Sequence, residues 1–329
     1  MAGHDVTLVC RAATAEIINA EGTEVRLKLR GEDTHRAFRS ADLPGRLDAA
    51  APDAADPAGY ELVALAMSEP QYGAPDIRAL MSRVAASGVA CLSIMNMPPL
   101  PYLRRVPGLD ADALADCFND PGVWDGFDPG RVSLCSPDPQ AFRPEGARPN
   151  VLHVGLPTNF KAAPFADPAH TALLQELAAG IEALRVDGQE VPVKLRVHGS
   201  LFVPFAKWAM LLTGNYRCVL DDGVQPIRAA VHDDPARARA VYDLVNALVR
   251  KLGADDADLV PFDKYAAAAE GLLKPSSAAR AIDAGAAQIE RVDRLVKGIA
   301  DQLGMGSELL DATVARVDAR LAENRRRAG

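Results

Sequence analysis

Residues 60–95 read YELVALAMSEPQYGAPDIRALMSRVAASGVACLSIM. Residues 60–67 (YELVALAM) form a short, nearly continuous apolar run, the pattern of a strand covered on both faces. Residues 74–86 then place Ile77, Leu80, Met81 and Val84 at three- and four-residue intervals, which predicts a helix with one apolar face. Residues 89–95 (VACLSIM) return to an unbroken apolar run. Strand, helix and strand at this spacing make a βαβ unit, and such units build a parallel sheet.

Outward from this unit the pattern continues in both directions. Upstream, residues 6–10 (VTLVC) predict another buried parallel strand, and residues 24–29 (EVRLKL) alternate charged and apolar positions as a half-exposed strand does. Residues 44–58, crowded with Pro and Ala and without periodicity, read as a loop. Downstream, residues 98–150 carry many prolines and aspartates. Residues 150–156 (NVLHVGL) and 190–197 (EVPVKLRV) predict strands on either side of an Ala/Leu-rich helix over 169–184. After Val197 the pattern is nearly all helix, over 205–212, 235–251, 277–299 and 308–325. In the third of these, Ile282, Ile289, Val292, Val296 and Ile299 fall on one stripe. The change at His198-Gly199-Ser200 places a domain boundary there, with an α/β domain over 1–197 and an all-helical domain over 198–329.

Composition agrees with two soluble domains: 329 residues, 49% hydrophobic and 24% charged, which excludes disorder and coiled coil as descriptions of the whole. The net charge is −8, and residues 1–198 hold 18 basic against 26 acidic side chains, so no basic surplus is available for nucleic acid. Five widely spaced cysteines without a CxxC pair favour a reducing compartment. No apolar run is long enough to span a bilayer and no signal-peptide pattern opens the chain, so a cytoplasmic location away from membranes is expected. The six histidines are scattered without an HxxxH pair, and no metal site is expected. A GxSxG elbow is also missing, which argues against a hydrolase.

Gly3-His4-Asp5-Val6-Thr7-Leu8-Val9-Cys10-Arg11 resembles the second strand of the ketopantoate reductase (2-dehydropantoate 2-reductase) family. Glu69-Pro70-Gln71 after the 60–67 strand, Asn96 after the 89–95 strand, Lys207-Trp208 and Lys274-Pro275-Ser276-Ser277 fall in that family's order, so the resemblance covers most of the chain. It implies a Rossmann-like domain followed by a helical domain, an active site in the cleft between them, and reduction of a 2-keto acid to a 2-hydroxy acid with NADPH. The family's first strand and its GxGxxG turn do not appear in the sequence. Either Met1 is an internal start with further residues upstream, or the protein is a relative that has lost cofactor binding. Without that central strand, residues 6–10 and 60–67 must pair directly or leave an apolar gap.

Lys207 opens a helix that is otherwise apolar through Trp208, Met210, Leu211 and Leu212. A lysine in a partly desolvated cleft has a lowered pKa and can donate a proton to a carbonyl oxygen; otherwise its stem packs on neighbours and its charge reaches water. The resemblance implies the catalytic role for Lys207, a place for Arg11 at the 2′-phosphate of NADP, cofactor contacts for Gln71 and Asn96, and substrate contacts for Asn215, Ser276 and Ser277. The plainer alternatives are a solvated Arg11, turn residues at Gln71 and Asn96, and a serine N-cap. The family's Asn-Gly-x-Gly is Asn96-Met97-Pro98-Pro99 in this chain, and Leu211 stands where a second family asparagine would be. The family's helix glutamate aligns with Ile289, or with Gln288 after a one-residue shift. Glu290 reaches that place only if the helix turns by about 100°. These departures argue against ketopantoate itself. The expected function is therefore an NADP-dependent oxidoreductase acting on some 2-keto acid or related small carbonyl compound, with the helical domain serving substrate binding and dimerisation, as in a homodimer. The competing expectation is a non-catalytic small-molecule-binding or scaffold relative.

Overall fold

In the computed structural model, which describes residues 1–137, 140–156 and 158–328, the chain divides into two units interleaved along the sequence. Unit 1 holds Met1–Leu65, Ala74–Leu92 and Gly126–Gly199, and unit 2 holds Ala66–Gly73, Ser93–Asp125 and Ser200–Gly329. Unit 1 is α/β and unit 2 is mainly helical, the fold class expected from the sequence pattern.

Unit 1 opens with β1 (Val6–Val9) and α1 (Ala12–Glu21), followed by β2 (Glu24–Leu27), β3 (Arg36–Arg39), β4 (Leu47–Ala50) and β5 (Leu62–Leu65). The βαβ unit is completed by α2 (Pro75–Ser87) and β6 (Ala90–Ile94). Pro75 starts α2, and Gly88, in the left-handed region at φ 66°, ends it. Beyond β6 the chain passes Asn96 and a pair of prolines into the short α3 (Leu100–Leu103) of unit 2.

Two expectations about the N-terminal part are corrected. The segment over 44–58 is not all loop, because it contains β4, whose small residues Ala49 and Ala50 hide the strand alternation. β1 is not buried: Val6 is 43% and Val9 44% exposed. β1 pairs in parallel with β4 alone, Val6 opposite Leu47, in a two-stranded sheet whose covered side packs Ala49 against Ala15 and Ile18 of α1. β1 and β5 lie in different sheets and do not pair. The Tyr60 hydroxyl, just before β5, donates to Thr7 Oγ1 of β1 at 2.7 Å.

The remaining strands of unit 1 are β7 (Val132–Pro137), β8 (Gln140–Phe142), β9 (Val151–Leu156), β10 (Asn159–Ala162), the hairpin β11 (Arg185–Val186) and β12 (Gln189–Glu190), and β13 (Lys194–Val197). Asp187 and Gly188 turn the hairpin with φ of 50° and 79°, the positive values a tight two-residue turn needs. The main sheet has the order β13-β10-β7-β6-β5. Within it β10 runs parallel to β13 and antiparallel to β7, so the sheet is mixed at this side. The strand expected over 150–156 is present as β9, but it pairs with β2 in a separate four-stranded sheet, β3-β2-β9-β8. Between β10 and β13 runs α4 (Pro168–Ala183), capped by the Asp167 carboxylate, which accepts from the Ala169 amide.

In unit 2, α5 (Ala206–Met210) passes into a π-type turn over Leu211–Asn215. It is followed by α6 (Ile227–His232), α7 (Pro235–Leu252), α8 (Phe262–Ala269), α9 (Ser277–Asp283), α10 (Val292–Gln302) and α11 (Glu308–Ala328). Trp208, stacked on Phe205 with ring centroids 4.1 Å apart, sits with Leu212, Tyr242, Val245, Leu295 and Ile299 in its core. The single helix expected over 277–299 is two helices. Gly285, at φ 91°, lies in the link over 284–291, and the apolar stripe is shared among α9 (Ile282), the link (Ile289) and α10 (Val292, Val296, Ile299). Arg291 ends the link, buried against the Asp293 carboxylate at 2.8 Å. Among the described residues no helix is long and apolar enough to cross a membrane.

Candidate functional site

The break between α9 and α10 frees Glu290 from helical geometry, and its side chain turns to the segment after β6. One carboxylate oxygen accepts from the Asn96 side-chain amide at 3.3 Å and the other from the Met97 backbone amide at 3.2 Å. Tyr216, fully within the core of unit 2, fixes the link: its hydroxyl donates to the Glu290 carbonyl at 2.6 Å and accepts from the Val292 amide at 2.9 Å. Burial raises the Glu290 pKa; the Met97 and Asn96 hydrogen bonds and the Lys207 charge oppose this, while the Glu69 charge adds to it. Glu69 is itself 2% exposed and accepts from the Asn119 backbone amide at 2.8 Å and from its side-chain amide. Burial raises its pKa too. Unit 2 thus brings Asn96 and Glu290 into hydrogen-bond contact, with the charges of Glu69 and Lys207 near enough to act on the Glu290 carboxyl.

Asn96 brings a further feature. Its Nδ2 is used on Glu290, whereas its Oδ1 is buried and has no hydrogen-bond partner among the described residues. A buried acceptor left open costs free energy unless a donor meets it. Lys207, half-buried in the first turn of α5, is the cation whose charge reaches Glu290.

The other residues singled out from the sequence fall in different places. Asn215 closes the π-type turn, and its carbonyl accepts from the Ser276 hydroxyl at 2.8 Å. Ser276 is buried and N-caps α9, accepting from the Ala279 amide at 3.1 Å, so its hydroxyl proton and one lone pair both serve the fold. Ser277 is exposed and accepts from Arg280 at 3.1 Å. Gln71 is exposed, and its Oε1 accepts from the Ser68 amide and hydroxyl, which is the geometry of a turn residue. Arg11, in unit 1, is exposed at the N-cap of α1.

Glu69 and Tyr216 were not singled out from the sequence. Glu69 stands in a Pro-containing turn that reads as solvated, and only the fold shows it buried. Tyr216 follows the π-type turn, which no side-chain periodicity announces.

No protein-family model matches the chain, and no curated protein does. Solved structures do match over nearly its whole length. A 2-dehydropantoate 2-reductase from Geobacter metallireducens GS-15 superposes with a TM-score of 0.64 at 17% identity, covering 97% of this chain and 92% of that one. A PanE/ApbA family ketopantoate reductase from Ralstonia eutropha JMP134 gives 0.62 at 16% identity over 98% and 93%. The ternary structure of a D-mandelate dehydrogenase with NADH and anilino(oxo)acetate gives 0.62 at 11% identity over 98% and 93%. The α/β unit and the helical unit described above together have the fold of the ketopantoate reductases.

Proposed function

We propose that this protein is a nicotinamide-dependent oxidoreductase that reduces the carbonyl of a 2-oxo acid or a related compound, with NADP as cofactor and Lys207 as proton donor. The observation that carries the reading is the group formed by Lys207, Glu290 and Asn96, with the Asn96 Oδ1 buried and open, on a fold shared with enzymes of that chemistry.

The nucleotide fits the described residues only in part. A dinucleotide diphosphate is cradled by backbone N–H groups of a glycine-rich turn from strand to helix. The β1–α1 turn is Cys10-Arg11 without glycine, and the β6–α3 turn is Asn96-Met97-Pro98-Pro99, where the prolines offer no N–H. The diphosphate therefore does not fit these turns, while the exposed guanidinium of Arg11 suits a 2′-phosphate.

Hydride chemistry belongs to the nucleotide, and the residues of unit 2 act on the carbonyl oxygen. The Lys207 ammonium donates a hydrogen bond to that oxygen and gives up a proton as negative charge develops on it. Glu290 acts through others, holding the Asn96 amide and the Met97 backbone in place and attracting the Lys207 charge. Asn96 Oδ1 accepts from a donor group of the bound compound. The glycine-free β1–α1 turn and the two prolines after Asn96 favour a second reading, a relative that binds the 2-oxo acid without reducing it.

The test is NADPH and NADH oxidation with a panel containing 2-dehydropantoate and the 2-oxo acid corresponding to mandelate. Lys207→Ala should lower kcat by about 10²–10⁴ with little change in nucleotide affinity, and Arg11→Ala should weaken NADPH more than NADH. Full activity of Lys207→Ala removes its role. Failure to bind either nucleotide while a 2-oxo acid still binds leaves the second reading.

A further inference from the structure

Unit 2 has a concave feature built from residues that take no part in the Lys207 group. A cleft of about 410 Å³ is walled by Arg217, Arg237 of the first turn of α7, Arg316 of α11, and Asp221, Asp222 and Gln225 of the loop before α6. The loop is held in shape: Gln225 donates through its backbone to the Cys218 carbonyl at 2.9 Å and through its side chain to the Arg217 carbonyl at 2.8 Å. Arg320 donates to the carbonyls of Leu220 and Gly223 at 2.9 and 2.8 Å.

The charges in this cleft are unequally answered. Arg316 donates to Asp221 at 2.7 Å, so that pair is closed. Arg217 is half-buried and makes a long hydrogen bond of 3.4 Å to the Thr213 carbonyl. Among the described residues no carboxylate lies within ion-pair distance of Arg217 or Arg237. Burial lowers the Arg217 pKa, Arg237 and Arg316 push it the same way, and Asp234, the N-cap of α7, opposes them. A guanidinium keeps its charge under all ordinary conditions, so the positive field of this pair calls for an anion from solution.

We propose that the cleft is a binding site for a compact, multiply charged phosphate group, held by the guanidinium forks of Arg217 and Arg237 with the Arg316–Asp221 pair at its side. Two planar forks match the oxygens of a phosphate better than a single carboxylate's pair. The exposed Asp222 also lines the cleft, and its charge opposes the anion. The site shares no residue with the Lys207 group, so it stands independently of the oxidoreductase reading.

The probe is inorganic pyrophosphate, titrated into the full chain by calorimetry and thermal shift at constant ionic strength. Saturable binding at one site is expected. Arg237→Gln, an exposed change that leaves the core alone, should weaken it about tenfold, in line with loss of a charged hydrogen bond. Arg217→Gln should weaken it at least as much, and Lys207→Ala should leave it unchanged. A stabilisation equal to that of sodium chloride at the same ionic strength would mean screening alone and overturn the proposal. So would unchanged affinity in Arg237→Gln, or loss of binding in Lys207→Ala. Should Arg217→Gln fail to fold, the Arg237→Gln comparison decides.

Discussion

The Glu290 carboxyl sits where opposing influences meet. Burial and the Glu69 charge raise its pKa above the ordinary 4.5, and Met97, Asn96 and Lys207 hold it back, the net direction being upward. A carboxyl raised on folding binds its proton more tightly in the native state. Its contribution to stability is complete below the unfolded value and is lost as pH rises through the folded one. Glu69 is shifted in the same direction, with the same sign. The free energy of unfolding in urea should therefore fall as pH rises above the ordinary carboxyl value of 4.5, and Glu290→Gln should flatten part of that fall. An unaltered profile in Glu290→Gln would show that this carboxyl does not titrate as described. From the sequence, alignment along a continuous helix puts Ile289 or Gln288 where the family resemblance implies a glutamate. The continuous helix does not hold, because residue 290 lies in a link shaped by the Tyr216 hydroxyl, a contact between residues 74 positions apart. Ser276 was easier to read, since a serine after Lys-Pro and before a helical pattern is an N-cap signal whatever the distant partners are.

Ser276 joins two elements of unit 2. It accepts from the Ala279 amide at the start of α9 and donates to the Asn215 carbonyl at the end of the π-type turn. Replacement by Ala removes the cap, worth about 1 kcal/mol, and leaves a carbonyl without its donor, about 1–3 kcal/mol more. Ser276→Ala should lower the urea midpoint by an amount equal to about 2–4 kcal/mol with unchanged m. Ser277→Ala, at an exposed position, should stay within about 0.5 kcal/mol. Equal effects of the two would refute the assignment. Elements with strong periodicity, such as α2, α7 and α11, were readable from sequence alone. β4 was not, because Leu47-Asp48-Ala49-Ala50 has too few large side chains to alternate. β9 was found but not its sheet, since strand pairing depends on partners more than a hundred residues away, here β2 at Glu24–Leu27.

Across the whole molecule, the helical pattern after residue 199 suggests a part that could be cut out, and the make-up of unit 2 argues otherwise. Tyr102, fully buried, donates to the Leu201 carbonyl at 2.6 Å. A Cβ added at Gly298 of α10 would lie 2.7 Å from Leu114 Cδ2, so α10 and the 112–117 turn approach as closely as glycine allows. Gln302 and Asp110 exchange hydrogen bonds at 3.1 and 2.9 Å. Residues 200–329 expressed alone should therefore show helical circular dichroism without a cooperative thermal transition. A sharp transition near that of the full chain would show that the earlier segments are dispensable. The same interleaving bears on synthesis. Met97 and its partner Glu290 are 193 positions apart, and at about 5–20 residues per second the ribosome takes roughly 10–40 s to cover that stretch. Throughout that interval Met97, Leu100, Tyr102 and Leu103, all buried in the finished protein, stay on the nascent chain without residues 200–329 of their own unit, so unit 2 closes only when synthesis is nearly complete.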